Sequence, residues 1–289
     1  MPDIKVKVAG IMAKPGIPEA STLVPALVAW LNERHVKVQL DDEAARYMGG
    51  NAGLSRDKVP EGTQLVIVLG GDGTLLAAAR AVAGRVIPIF PVNLGGLGFL
   101  TAITLDQLYP ELERALHGEQ RIVPRRMMHG ELLRAGQTIR SYEALNDIVI
   151  NKTQIARMID LETYVDQQFI GTFKADGLIV CTPTGSTAYS LSAGGPIVYP
   201  AVAAICITPV CPHMLTNRPV LVPDDMVVRI ICRAADREAF LTVDGQVGEP
   251  LLHEDQIVCR RSENCVHLVR PPRMYFFDVL RQKLKWGER

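Results

Sequence analysis

The run Gln64-Leu-Val-Ile-Val-Leu69 passes into Gly70-Gly71-Asp72-Gly73-Thr74 and then into the Ala-rich segment 75–82. A dense β-branched run ending in glycines reads as a buried parallel strand, and the segment beyond it as a helix. Upstream, residues 4–9 read as a strand and Lys14-Pro15-Gly16 as a loop. Leu23, Leu27, Trp30 and Leu31 then recur at helical spacing before a second strand at 36–40. Downstream, 86–92 is another buried strand and 105–117 a helix. This alternation predicts βαβ units, hence an α/β domain with a parallel, Rossmann-like sheet.

From about Arg121 to Arg270 the rhythm changes. Short period-two or β-branched segments at 144–150, 159–165, 177–181, 227–232, 240–243 and 265–269 are separated by turn residues, with no long amphipathic helix between them. That pattern predicts a β-rich second domain. Beyond Pro271-Pro272, the residues Phe277, Leu280 and Leu284 share one helical face, so a C-terminal helix should return to the first domain. The expected boundaries are 1–118, completed by 271–289, and 119–270.

The chain has 289 residues, 48% of them apolar, and 31 Lys plus Arg against 31 Asp plus Glu. Zero formal charge leaves no electrostatic footprint for coating nucleic acid or a membrane surface. No apolar run approaches the roughly 18 residues a membrane span needs, and the N-terminus lacks a signal-peptide core. A cytoplasmic protein is expected. The six cysteines form no Cys-x-x-Cys pair, so buried free thiols are expected rather than a zinc site or a disulfide framework.

The 70–74 turn carries the first chemistry. Glycines permit positive φ and close ligand approach, and the helix start beyond presents N–H groups to an anion. An aspartate there repels phosphate, so it is better suited to facing an incoming hydroxyl or holding a cation; a helix-capping role is the plainer alternative. Walker and dinucleotide glycine motifs are both absent, Leu76 standing where the latter needs its third glycine.

Three further clusters stand out. Residues 93–99 (Asn-Leu-Gly-Gly-Leu-Gly-Phe) offer a second backbone wall or a mere crossover loop. Asn146-Asp147 interrupts a strand-like run; an amide beside a carboxylate suits gripping a ribose, or simply ends a strand. After Lys174-Ala-Asp176-Gly, residues 182–196 (Thr-Pro-Thr-Gly-Ser-Thr-Ala-Tyr-Ser-Leu-Ser-Ala-Gly-Gly-Pro) are almost all small or hydroxylated. Such a run allows close approach, hydroxyls for polar ligand edges and a Tyr189 face for a ring, if it is not just a solvated loop.

In order and spacing these four clusters resemble the NAD kinase family over essentially the whole chain. The glycine–aspartate turn is shared with diacylglycerol, sphingosine and 6-phosphofructokinases, whereas the Thr-Pro-Thr-Gly-Ser-Thr-Ala-Tyr run points to NAD kinases. The resemblance implies an all-β, sandwich-like second domain and transfer of the ATP γ-phosphoryl group to the 2′-hydroxyl of the adenosine ribose of NAD. It implies Asp72 as proton acceptor, and dinucleotide contacts from Gly73, Asn146, Asp147, Asp176, Thr187, Ala188, Tyr189, Ser190, Leu191 and Ser192. Arg157, Lys174 and Gln246 fall where the family has further nucleotide contacts. Mg²⁺ or another divalent cation is expected with ATP, with no protein metal cage, and a homodimer or homotetramer. Two departures are Asp147, where glutamate is commoner, and Ala175, where glycine or serine often stands. Lys174 is basic where relatives vary, at a position expected to bear on NAD versus NADH choice. A lipid or sugar kinase and a non-catalytic NAD(H) sensor are the alternatives. The first would need an apolar tunnel or a sugar-phosphate site, and the second has no use for Asp72.

Overall fold

In the computed structural model, residues 6–50, 52–96, 98–153, 157–235, 237–272 and 274–286 are described. The sequence assignments at Ile4, Lys5 and Leu97 lie outside them. The chain divides into two compact units, 1–124 with 266–289, and 125–265.

The first unit alternates β1 (Val8–Ala13), α1 (Ala20–Glu33), β2 (Lys37–Leu40), α2 (Asp42–Tyr47), β3 (Leu65–Gly70), α3 (Asp72–Val82), β4 (Pro88–Asn93) and α4 (Leu108–Leu116). Its strands are parallel, with β1 pairing to β2 on one side and β3 on the other, and β3 to β4. The order 2-1-3-4 places the topological switch between β1 and β3, the place where open α/β sheets bind ligands at strand carboxyl ends. β3 and β4 are buried along their whole length, as the β-branched runs require. Ile11, Leu27, Leu31, Ile67, Leu69, Phe90, Val92, Ile103 and Leu108 form the core. The first strand runs past the 4–9 expected to Ala13, because Gly10 to Ala13 continue the register with β3 as far as Leu69. Residues 42–47 form a short helix, α2, that hydrophobic spacing did not reveal; Asp41 caps it by accepting from the Ala44 N–H at 2.8 Å.

The second unit holds β5 (Arg121–Arg134, whose first residues belong to the first unit), β6 (Gln137–Ala144), β7 (Asp147–Lys152), β8 (Ile159–Val165), β9 (Gln168–Ala175) and β10 (Gly177–Cys181). The short helix α5 (Tyr189–Ser192) then precedes β11 (Ala204–Val210), β12 (Val220–Pro223), β13 (Val228–Cys232), β14 (Ala239–Val243), β15 (Val247–Leu251) and β16 (Gln256–Arg270). One antiparallel sheet runs β12-β11-β10-β7-β14-β15. In the other, β13 pairs with β8 and with the start of β16, and β9 with β8. Period-two patterning explains how the sheets face each other. Ile148, Ile150, Leu178, Val180, Ile205 and Ile207 share a core with Leu161, Ile230 and Ile257 of the second sheet. The alternate residues Val149, Ile179, Cys181 and Cys206 are buried on the opposite face against Ala193.

The last residues of β16 rejoin the first unit, Leu268 pairing parallel to Ile89 of β4, and α6 (Phe276–Leu284) follows.

Candidate functional site

In the first unit the geometry centres on Asp72, the first residue of α3. Gly71 is the N-cap and the Asp72 side chain does not cap the helix, so the capping alternative fails. Instead its carboxylate grips the 98–101 turn. Oδ1 accepts from the N–H groups of Leu100 (3.1 Å) and Thr101 (3.0 Å) and the Thr101 hydroxyl (2.9 Å), while Oδ2 accepts from Phe99 N–H (2.9 Å). A carboxylate has about four lone-pair sites, two per oxygen, so Oδ1 is saturated and Oδ2 keeps an acceptor site. The turn is braced from behind. Asn93 donates to Thr101 Oγ1 (2.8 Å) and Gly96 O (3.0 Å), and Arg270 donates to Phe99 O at 2.9 Å. Asn93, Gly96 and Phe99 are therefore parts of a fixed wall, not of a slack crossover.

The glycines work differently from the sequence expectation. None of Gly70, Gly71 or Gly73 has positive φ. Gly70 is needed for contact, since a Cβ there would lie 2.5 Å from Thr74 Oγ1 and 2.9 Å from Lys14 Cβ. Among the described residues, nothing lies within 4 Å of a Cβ placed on Gly71. The turn thus keeps open space over a helix N-terminus, which suits an incoming anion.

In the second unit a separate cluster forms at one end of β7, β10 and β14. Asp147 pairs in register with Cys181, and Ile148 with Val243. Asp244, absent from the sequence expectations, organises it. Held at φ 51° in the turn between β14 and β15, it accepts from the N–H groups of Leu145 (3.1 Å), Asn146 (2.8 Å) and Asp147 (3.2 Å). An Asp-Gly pair marks such a hairpin turn, but its long-range partners leave no local signal. Burial, then the neighbouring Asp244 charge, pushes the Asp147 carboxyl up to about 7. Asn146 Oδ1 is buried without a hydrogen-bond partner among the described residues, an acceptor that a ligand donor would satisfy.

Because the folded carboxyl titrates near 7 and the unfolded one near 3.8, Asp147 contributes stability below about 3.8 that is lost as pH rises through about 7. Between about pH 5 and pH 8 wild type should lose roughly 2–3 kcal/mol relative to Asp147→Asn. Melting curves of both proteins across that range test this, and parallel pH profiles would refute it.

The 182–196 stretch is not a solvated loop. It folds into a 3₁₀ turn (Gly185–Thr187) and α5, with Thr182, Thr184, Ser186, Thr187 and Ser190 all buried. Its hydroxyls turn inward. Thr182 Oγ1 donates to Leu145 O (2.6 Å), Ser186 Oγ to Pro183 O (2.7 Å), Thr187 Oγ1 to Thr184 O (3.2 Å), and Ser190 Oγ shares a bond with Thr208 Oγ1 (2.9 Å). Tyr189 and Ser192 are exposed; Ala188 and Leu191 are half-buried.

The remaining candidates stand apart from the Asn146–Asp147 cluster or at its margin. Asp176 pairs with Lys152 Nζ at 2.5 Å, Lys174 lies exposed on β9, and Arg157 is exposed 4.0 Å from Glu238. Gln246 is exposed at the turn beside Asp244, and Gly73 is exposed in the first turn of α3. Among the described residues no group of three or more His, Cys, Asp or Glu could hold a metal ion.

Residues 9–120 match the ATP-NAD kinase N-terminal domain and residues 145–271 the ATP-NAD kinase C-terminal domain. The NAD kinase of Solibacter usitatus is 60% identical over 284 residues, covering 98% of this chain and 99% of that protein. The chain belongs to the NAD kinase family. The NAD kinase of Koribacter versatilis is 50% identical over 285 residues, covering 98% and 100% of the two chains. The NAD kinase fold is also that of yeast NADH kinase, crystallised with NADH, at a TM-score of 0.91 and 24% identity, covering 99% of this chain and 89% of that one. An Archaeoglobus fulgidus NAD kinase solved with ATP superposes at a TM-score of 0.75 and 24% identity, covering 96% and 98%.

Proposed function

We propose that this chain is an ATP-dependent NAD kinase, moving the γ-phosphoryl group of ATP to the 2′-hydroxyl of the adenosine ribose of NAD to give NADP. The observation that carries the mechanism is the asymmetric Asp72 carboxylate, one oxygen saturated and the other open. The saturated Oδ1 fixes the group, while Oδ2 receives the 2′-hydroxyl and takes its proton late. Late transfer is sufficient, because phosphoryl transfer through a loose transition state needs little prior deprotonation. The open space over Gly71 at the start of α3, beside the exposed Gly73, receives the donor phosphate.

In the second unit, Asn146 Oδ1 and the Asp147 carboxyl are acceptors for ribose hydroxyls, and the backbone of 187–192 with the Tyr189 ring lines the dinucleotide. Asp176, Lys174, Arg157 and Gln246 supply outer contacts. Mg²⁺ or another divalent cation enters on the ATP phosphates, neutralising charge on the transferred group. The exposed Met214 and Leu215, with the exposed edge strand β12, support self-association into a homodimer or homotetramer. Among the described residues no helix is long and apolar enough to cross a membrane; we place the enzyme in the cytoplasm.

Purified protein given NAD, ATP and Mg²⁺ should form NADP, read by an NADP-specific dehydrogenase. NAD binding in calorimetry without NADP formation would replace this reading with that of a sensor.

A further inference from the structure

Two cysteines sit directly opposite each other beside the dinucleotide-lining segment. Cys181 of β10 and Cys206 of β11 are register partners in an antiparallel pair, so their side chains share one face. Opposed residues in such a pair have Cα atoms about 4.5 or 5.5 Å apart, inside the 4.4–6.8 Å range of disulfides. Both are free thiols, 0% and 2% exposed, and hydrogen-bonded to each other. Their face of the sheet also carries Asp147, the other register partner of Cys181.

One hydroxyl network covers the pair. Cys206 Sγ lies 3.3 Å from Thr208 Oγ1, which shares a 2.9 Å hydrogen bond with Ser190 Oγ; Ser190 also hydrogen-bonds both thiols. Ser190 belongs to α5 and is fully buried. There is no slack above it, since a Cβ on Gly195 would lie 2.2 Å from Ser190 Oγ and 2.9 Å from Thr208 Oγ1.

We propose that Cys181 and Cys206 form an oxidation site, closed to a disulfide by a peroxide, and that closure weakens NAD binding through Ser190. The Cys206 thiolate attacks a peroxide oxygen; the O–O bond breaks, leaving Cys206 as a sulfenic acid and releasing hydroxide, which takes up the Cys206 proton as water. The Cys181 sulfur then attacks the sulfenyl sulfur, the S–O bond breaks, and the Cys181 proton leaves with that hydroxyl as a second water. Each sulfur loses one electron and the peroxide gains two. The hydrogen bond from Cys181 holds the Cys206 thiol down against the effect of burial, while the same bond and burial push Cys181 up, which makes Cys206 the first nucleophile. Closure removes both S–H donors and draws the sulfurs together, breaking the bonds that seat Ser190. Cross-strand Cβ atoms lie wider than a relaxed disulfide needs, so the bond is strained and easily reduced.

The effect on NAD rests on the kinase reading, whereas the chemistry of the thiols does not. The full-length protein treated with hydrogen peroxide should lose two hydrogen masses. A non-reducing peptide map should link the peptides holding residues 181 and 206, and dithiothreitol should reverse the link. The KM for NAD should rise roughly tenfold on oxidation, the size of one lost buried hydrogen bond, and recover on reduction. Cys206→Ala should keep its KM under peroxide. An unchanged mass with both thiols still alkylatable after denaturation overturns the site. A closed disulfide with unchanged KM overturns its control of NAD binding, as does an equal KM rise in Cys206→Ala. A protein inactive before oxidation would refute the kinase reading, while mass and mapping would still decide the thiol pair.

Discussion

Asp72→Asn should lower kcat for NADP formation by about a thousandfold, within the range that a positioned proton acceptor contributes. The four donors around the carboxylate refine the expectation. An asparagine can put its oxygen on the Leu100 and Thr101 donors, but its NH₂ then meets the Phe99 N–H and that bond is lost. Stability should fall by about 1–3 kcal/mol, read as a lower Tm. The KM for NAD should change little, because Asp72 is one of several acceptors assigned to ribose hydroxyls and Asn146 and Asp147 are unchanged. A loss of kcat with KM preserved separates proton acceptance from loop bracing. A kcat within tenfold of wild type, or an equal loss in NAD binding, would reduce Asp72 to a structural pin.

Gly185→Ala should have the largest effect on stability. A Cβ at this position would lie 2.1 Å from Asn146 O, 2.5 Å from its carbonyl carbon and 2.7 Å from its Cα. Every atom met is backbone, so no side chain can swing away. The shift would break the Thr182 N–H bond to Asn146 O, now 2.9 Å, and move the peptide that Asp244 holds. We expect a cost of about 3 kcal/mol or more, with NAD binding lost in whatever protein still folds. Gly71→Ala is the contrast, because its Cβ enters open space. It should leave Tm unchanged and raise the KM for ATP. Equal Tm values for Gly185→Ala and wild type would contradict the close packing of the 182–187 segment on Asn146.

Local patterning carried much of the fold. The segments 159–165 and 177–181 coincide with β8 and β10, and 64–69 and 75–82 fall within a residue or a turn of β3 and α3. Dense apolar runs bounded by turn residues are legible because burial is written into each residue. β9, mostly exposed, and β15, which contains Pro250, carry no such pattern and were not anticipated. At the site, residue types were legible but their directions were not. Ser186, Thr187 and Ser190 are hydroxylated as a ligand-binding run would be, yet their hydroxyls bond within their own unit. Asp244 leaves no local signal because its partners are almost a hundred residues away in sequence.

The return of the chain to its starting unit has a consequence for biosynthesis. Leu268 adds to the sheet beside Ile89, Val269 lies in the first core, and Val279 and Leu280 are buried in α6. Strands made early on the ribosome therefore wait for a partner encoded some 180 residues later (268 − 89 = 179). Domains made first commonly fold first during translation, but here residues 125–265 can finish folding before the unit that precedes them. A message truncated before codon 266 would leave the edge of β4 unpaired, an exposed strand of the kind that invites aggregation. Full-length synthesis is thus a condition for placing Asp72, since Arg270 is one of the braces of the turn it grips.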